Sequence, residues 1–210
     1  MAKTSGGVRG GTVTGNKGGI GNDGGGGNAN VNLTNIGSLK DIKDRQLQRE
    51  IQQGISKYES RLGVQSNVRL ATMEGAVGLA RTDPKSGKTE VFLNRAHFEK
   101  TSVKQVKAYK ERAYKSGFLN KTNKPTQHTV VHELGHATWN SYKPDKKHNQ
   151  AGKEIKALYK QFKKENPKTW GSYGKTNVNE FYAEGITKGT LGKSDKYTKS
   201  LIKITKKHGL

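Results

Sequence analysis

The 210-residue sequence predicts an α+β protein, a single small domain of helices and short strands preceded by a flexible glycine-rich arm. Three observations predict it. Several segments repeat their apolar residues at helical spacing, a cluster of short β-branched runs lies between residues 67 and 94, and the first stretch of chain is too polar and too rich in glycine to join a core. The length suits one compact domain plus an arm. With 30% hydrophobic residues the core is expected to be modest.

Residues 1–37 read as the arm. They include GGIGNDGGGGNANVNLTN, and glycine loses more backbone entropy on ordering than any other residue. The glycines are not a phosphate loop, because no G-K-[ST] follows them. An amphipathic helix is expected over residues 38–63, started by a Ser38/Asp41 capping box and carried by Leu39, Ile42, Leu47, Ile51, Ile55, Tyr58 and Leu62. NVRLATME, AVGLARTD and TEVFLN read as short strands, the last two forming a hairpin over residues 76–94. Helices follow at residues 103–114, from Pro125–Thr126 to about Ser141, and at 153–164, where Pro167 stops the last of them. A short helix is expected on NEFYAEGI. A basic amphipathic helix or tail closes the chain, residues 191–210 lying outside the 38–190 domain.

Thirty-nine Lys and Arg against 17 Asp and Glu give a formal charge of +22. Such a field draws polyanions, nucleic acid foremost, although lysines also serve simply to solvate helix faces. No cysteine is present, which excludes disulfides and thiolate metal sites. No apolar run is long enough to span a bilayer, and MAKTSGGVRGG has no hydrophobic core of a signal peptide, so a protein made without a secretory signal is expected.

The chemistry is concentrated in His132-Glu133-Leu134-Gly135-His136, an H-E-x-x-H motif. On a helix, residues four apart stand one above the other, so both imidazoles can reach one ion. Glu133 is then placed to take a proton from a water that zinc acidifies toward a pKa of roughly 7. A catalytic zinc usually has a third protein ligand and one open position. The pattern with glycine three and histidine six residues after the second His fails, because Trp139 and Tyr142 stand there. His148 lies in a lysine-rich loop; the carboxylate candidates are Glu154, Glu165, Glu180 and Glu184. Glu180, in N-E-F-Y-A-E, is the best of them: a second helix carrying it can face the first across the ion, with Gly135 and Ala183 permitting close packing. Glu184, one turn on, can hydrogen-bond the free N–H of a ligand histidine and fix its tautomer. As an ordinary solvated pair, Glu180 and Glu184 would repel at that spacing.

HELGH followed by NEFYAE resembles the gluzincins, and most of all the branch that includes anthrax lethal factor and the metallopeptidase-like domains of phage minor head proteins. In that branch a tyrosine stands seven residues before the ligand glutamate, as Tyr173 does before Glu180. TEVFLNRAHF and KSGFLN, ahead of the HELGH helix, are also similar to the phage domains. The likeness extends over about residues 67–187 and is strong only at the two motifs; the arm and tail lie outside it. It implies a zincin domain with a short antiparallel sheet over the active-site helix, Zn2+ on His132, His136 and Glu180, Glu133 as general base and Tyr173 as donor to an oxyanion. It further implies a peptidase acting on protein or peptide substrates, with virion or host cytoplasm as its setting and capsid or portal proteins as neighbours. A delivered toxin or effector is a variant of that reading. A catalytically silent basic virion protein, working through its charge on nucleic acid, is the alternative.

Overall fold

The computed structural model describes residues 31–83, 88–142 and 150–209. The first 30 residues of the expected arm, and His148, lie outside them. The chain runs through strand β1 (Thr34–Gly37), a 3-10 turn (Leu39–Asp41), helix α1 (Arg45–Leu62), strands β2 (Val68–Thr72), β3 (Gly78–Thr82) and β4 (Thr89–Asn94), and the short helix α2 (Arg95–Phe98). Helix α3 (Val103–Lys115), a 3-10 turn (Pro125–Gln127), α4 (His128–Ser141), α5 (Gln150–Glu165), a 3-10 turn (Tyr173–Lys175), α6 (Val178–Leu191) and α7 (Lys196–His208) follow. No helix among the described residues is long and apolar enough to cross a membrane.

The sheet has the order β1-β2-β4-β3 and is mixed, which corrects the expected antiparallel sheet. β3 and β4 form the expected antiparallel hairpin, with Leu79 opposite Phe92 and Ala80 opposite Val91. β4 then inserts parallel to β2, with Val68 opposite Val91 and Leu70 opposite Leu93. Burial explains the insertion. Val91 and Leu93 face the helices and the main core, while Phe92 faces a second cluster of Ala71, Met73, Ala76 and Leu79. A strand that is apolar on both faces belongs at the centre of a sheet, not at its rim. β3 is left as one edge.

β1 pairs antiparallel with β2, so residues 34–37, read as the end of the arm, belong to the sheet. Helix α1 starts seven residues later than expected. Ser38 caps only the 3-10 turn, and Asp41 instead meets the Arg95 guanidinium at 2.5 Å. Asp44 is the true N-cap, accepting from the Gln46 and Leu47 N–H groups at 2.9 and 3.0 Å. Helix α6 is longer than expected because its glycines are packing positions: a Cβ on Gly185 would lie 2.3 Å from Leu201 Cδ1, and one on Gly189 would lie 2.9 Å from Ile202 Cδ1. The closing basic segment is a helix whose Tyr197, Leu201 and Ile202 join the main core. Its apolar face meets an aromatic cluster in which Phe162 lies 4.6 Å from Phe181, 4.7 Å from Trp170 and 5.1 Å from Tyr197 between ring centres.

Asp44 carries one consequence that can be measured. Its second oxygen accepts from the Val103 N–H at 2.9 Å, so one carboxylate closes the starts of α1 and α3 together. The Val103 bond, then that of Leu47, holds its pKa below the ordinary 3.8. The stabilisation is therefore complete above the unfolded value and is lost as pH falls through the lower folded value. Because Asn caps a helix about as well as Asp, Asp44→Asn should cost no more than about 1 kcal/mol in urea unfolding at pH 7, from loss of the charge and of the Val103 bond. The difference from the parent protein should close as pH falls through the folded value; a deficit that persists once the carboxyl is protonated in both states would mean the charge is not the stabilising element.

Candidate metal centre

Helix α4 is buried on nearly every side, with all residues from His128 to His136 in the interior. Such a helix must be held by neighbours rather than by an amphipathic stripe. From α1, the Tyr58 hydroxyl donates to the Leu134 carbonyl at 2.8 Å and meets Thr138 Oγ1. From α6 comes the closest approach: a Cβ added to Gly135 would lie 2.8 Å from Ala183 Cα, so only glycine lets the two backbones pass. Asn177 caps α6 by accepting from the Asn179 and Glu180 N–H groups at 2.9 and 3.0 Å. That fixes Glu180 in the first turn, where the helix dipole favours a carboxylate.

The result is a convergence of three ligand atoms. His132 Nε2 lies 3.0 Å from His136 Nε2, and Glu180 Oε2 lies 3.2 and 3.3 Å from the two nitrogens. All three side chains are at most 1% exposed. One proton can link the two imidazoles, but both Glu180 oxygens are buried without a hydrogen bond, and so is His136 Nδ1. A carboxylate so placed is costly unless a cation completes it. Zinc bonds of 2.0–2.1 Å in a tetrahedron put ligand atoms about 3.3 Å apart, close to the spacing here. His132, His136 and Glu180 therefore form a group that could hold a metal ion.

A second group, His128, His132 and Glu184, shares one imidazole with the first. Hydrogen bonds already satisfy its Glu184 and His128, though not His132 Nδ1. Glu184 Oε2 accepts from the Asn120 N–H at 2.9 Å, and Glu184 Oε1 lies 3.0 Å from His128 Nε2. Burial, opposed by Glu184, lowers the His128 pKa to about 4. The ring is thus neutral at pH 7, and one tautomer fits: Nε2–H donates to Glu184, while Nδ1 accepts from the Tyr114 hydroxyl at 3.1 Å. Tyr114 in turn meets Thr122 Oγ1 at 2.9 Å. His132 Nδ1 also lies 3.0 Å from Glu184 Oε1, off the line of a straight N–H···O bond. Held this way, His132 turns its Nε2 toward Glu180. The unpaired first group, not this bonded one, is the place for an ion.

Electrostatics favour the same assignment. Burial alone would lower the His132 pKa, yet Glu180 and Glu184 hold it up at about 10. Burial would likewise raise Glu180, but His132 and His136 bring it down to about 2. The interior here calls for positive charge, which a divalent cation could supply. Glu133, 1% exposed, has its pKa raised by burial against the pull of His132 and His136. Its side chain lies against Gly78 of β3, where an added Cβ would sit 2.6 Å from Glu133 Cγ. The Tyr173 ring stacks near His132, with centres 5.7 Å apart. His132, Glu133, His136, Tyr173, Glu180 and Glu184 are thus gathered in one region. Glu154 and Glu165 are elsewhere, paired with Lys207 and Lys196 at 2.9 and 2.5 Å.

Sequence reasoning missed His128, Tyr114, Asn120 and Gly78. One signal was present: His128, His132 and His136 repeat every fourth residue and share a helix face. Tyr114, Asn120 and Gly78 come from other elements and carry no such mark. The close approach of the two helices is testable: Gly135→Ala should lower stability by about 1–3 kcal/mol and weaken metal retention on dialysis against a chelator. Unchanged unfolding would show that α4 and α6 do not meet at this point. Comparison of the chain with protein-family models, curated proteins and solved structures gives no match in any of the three.

Proposed function

We propose that this protein is a zinc-dependent metallopeptidase of the gluzincin kind, with His132, His136 and Glu180 holding the metal and Glu133 as general base. The observation that carries the reading is the trio of ligand atoms 3.0–3.3 Å apart, buried, with the Glu180 carboxylate otherwise unpaired. Two histidines and one carboxylate are the donor set of catalytic zinc sites that keep a position open, whereas structural zinc sites are closed by four protein ligands. Zinc in such a site supplies Lewis-acid polarisation of a carbonyl and acidifies water near neutral pH.

The remaining work belongs to the chain. Glu133, its basicity raised by a dry environment, takes the proton from the attacking water and can deliver it to the leaving amine. Glu184, fixed by His128 and the Asn120 N–H, lies 3.0 Å from His132 Nδ1 and would hold that ring with its Nε2 available to a metal ion. Tyr173, beside the His132 ring, is the candidate donor to the developing oxyanion. The edge of β3, unpaired among the described residues and with one residue touching Glu133, offers backbone groups to an extended peptide. The likeness to phage minor head proteins makes a virion-associated or delivered peptidase the natural setting. The charge of +22 favours a second, compatible property: retention on nucleic acid.

Metal analysis of purified protein should find about one zinc per chain, and His136→Ala or Glu180→Ala should lose it. Glu133→Gln should keep the metal and lower peptide cleavage roughly 10²–10⁴-fold. Cleavage undiminished in that variant would remove Glu133 from the mechanism, and absence of metal from the parent protein would remove the reading. Binding to DNA should weaken steeply as salt rises, in the Glu133→Gln variant as in the parent.

A further inference from the structure

Lys110, in the third turn of α3, is 1% exposed, and its Nζ makes no hydrogen bond among the described residues. The one partner the structure records for it is the Tyr109 ring, 5.8 Å from Nζ to the ring centre, and a buried ammonium without an anionic or hydrogen-bonded partner is among the costliest features a fold can keep. On α4, Thr129 Oγ1 is buried and unpartnered as well. Both residues line one cavity of about 200 Å³, open to solvent on one side, whose walls also include Val77, Phe98, Val106 and Tyr109 together with the polar His97, Thr101 and Gln105. Two independent orphaned donors on a single, largely apolar cavity mark a position for a ligand's acceptor atoms.

The cavity adjoins the candidate metal centre. Thr129 stands one turn before Glu133 on the same face of α4. Val77 directly precedes Gly78, the residue of β3 that touches the Glu133 side chain. Burial lowers the Lys110 pKa to about 7, with Glu184 and Glu133 opposing that fall from a distance. Neither carboxylate forms an ion pair with it, so an anion entering the cavity would meet an amine ready to hold a proton. His97, the other titratable base on the wall, has its pKa lowered by burial and adds no fixed positive charge at neutral pH.

We propose that this cavity is a carboxylate-binding subsite which selects a glutamate side chain of a peptide lying along β3. Lys110 Nζ and Thr129 Oγ1 are its two donors, and Val77, Phe98 and Val106 pack against the methylene stem. The peptide part of this statement rests on the peptidase reading above; the carboxylate part does not. The overall positive charge, which concentrates acidic chains near the surface, works in the same direction. Lys110 is thereby a specificity-determining residue, and its buried charge finds its partner in the substrate.

The probe for the carboxylate part is glutarate, titrated calorimetrically into the parent protein, Lys110→Met and Thr129→Val. Binding that falls about tenfold or more in Lys110→Met and measurably in Thr129→Val is expected. Glutarate that fails to bind, or binds all three proteins equally, would overturn the subsite. Met keeps the volume of the lysine stem without its charge, so Lys110→Met should fold at least as stably as the parent. Thr129→Val gives an independent second reading. In the zinc-loaded protein, a peptide set that differs only by Glu, Gln or Leu at each position should be cut about tenfold faster with Glu at one position, and that ratio should vanish in Lys110→Met. If Lys110 merely balances Glu133 and Glu184, the variant would slow all peptides alike and leave the ratio intact, which overturns the proposal. Lysine-dependent glutarate binding with no peptide cut by the parent protein would instead sink the peptidase reading and leave the subsite standing.

Discussion

Helices α4 and α6 come so close at Gly135 and Ala183 that a single added carbon would collide with backbone, and the convergence of the candidate metal ligands depends on that contact. Glu180 lies three residues before Ala183 and Glu184 one residue after it, so the crossing point sets how far each carboxylate reaches toward α4. With the backbones touching, Glu180 Oε2 meets both Nε2 atoms at 3.2 and 3.3 Å, and Glu184 Oε1 meets His132 Nδ1 at 3.0 Å. Any wider separation would leave two glutamates and three histidines buried but out of register. The small residues are therefore as much a part of the site as the ligands.

The surrounding structure serves to hold that crossing. Tyr58 ties α1 to the carbonyl of Leu134, the residue before Gly135. The aromatic cluster of Phe162, Trp170, Phe181 and Tyr197 braces α6 from the far side, and Gly185 admits Leu201 from α7. Asn120, donating its N–H to Glu184 Oε2 and accepting from the Gly171 N–H at 2.9 Å, links the loop after α3 to the loop before α6. These contacts are mostly apolar or fully hydrogen-bonded. Among the described residues, most of the unsatisfied buried polarity is confined to the neighbourhood of the first turns of α4 and the start of α6, with Asn140, Thr190 and Tyr197 as the exceptions.

That confinement gives the electrostatic logic. Glu133, Glu180 and Glu184 bring three carboxylates into a buried volume, with His128 kept neutral by burial and its bond to Tyr114. His132 is driven strongly toward protonation by its two acidic neighbours, which is the signature of a cavity shaped for a cation. Lys110 stands on the other flank of Glu133, buried and unpaired. The Glu180 side of Glu133 thus calls for positive charge, while Lys110 on its other side has no anionic partner. A metal ion on the first and an acidic side chain on the second would resolve both.

Much of the centre was legible in the chain itself, since helical periodicity is a local property. H-E-x-x-H must put His132 and His136 on one face with Glu133 beside them, and N-E-F-Y-A-E must put Glu180 and Glu184 one turn apart around a small residue. The hairpin of β3 and β4 and the helices α3, α4 and α5 follow from the same local patterns. What only the tertiary structure decided is everything that needs two distant segments to meet. The insertion of β4 beside β2, the use of Asp44 rather than Ser38 to start α1, and the entry of residues 34–37 into the sheet depend on partners far along the chain. So do the recruitment of His128, Tyr114 and Asn120 and the orphaned amine of Lys110. A sequence specifies which face a residue shares with its near neighbours; packing alone fixes what that face will touch.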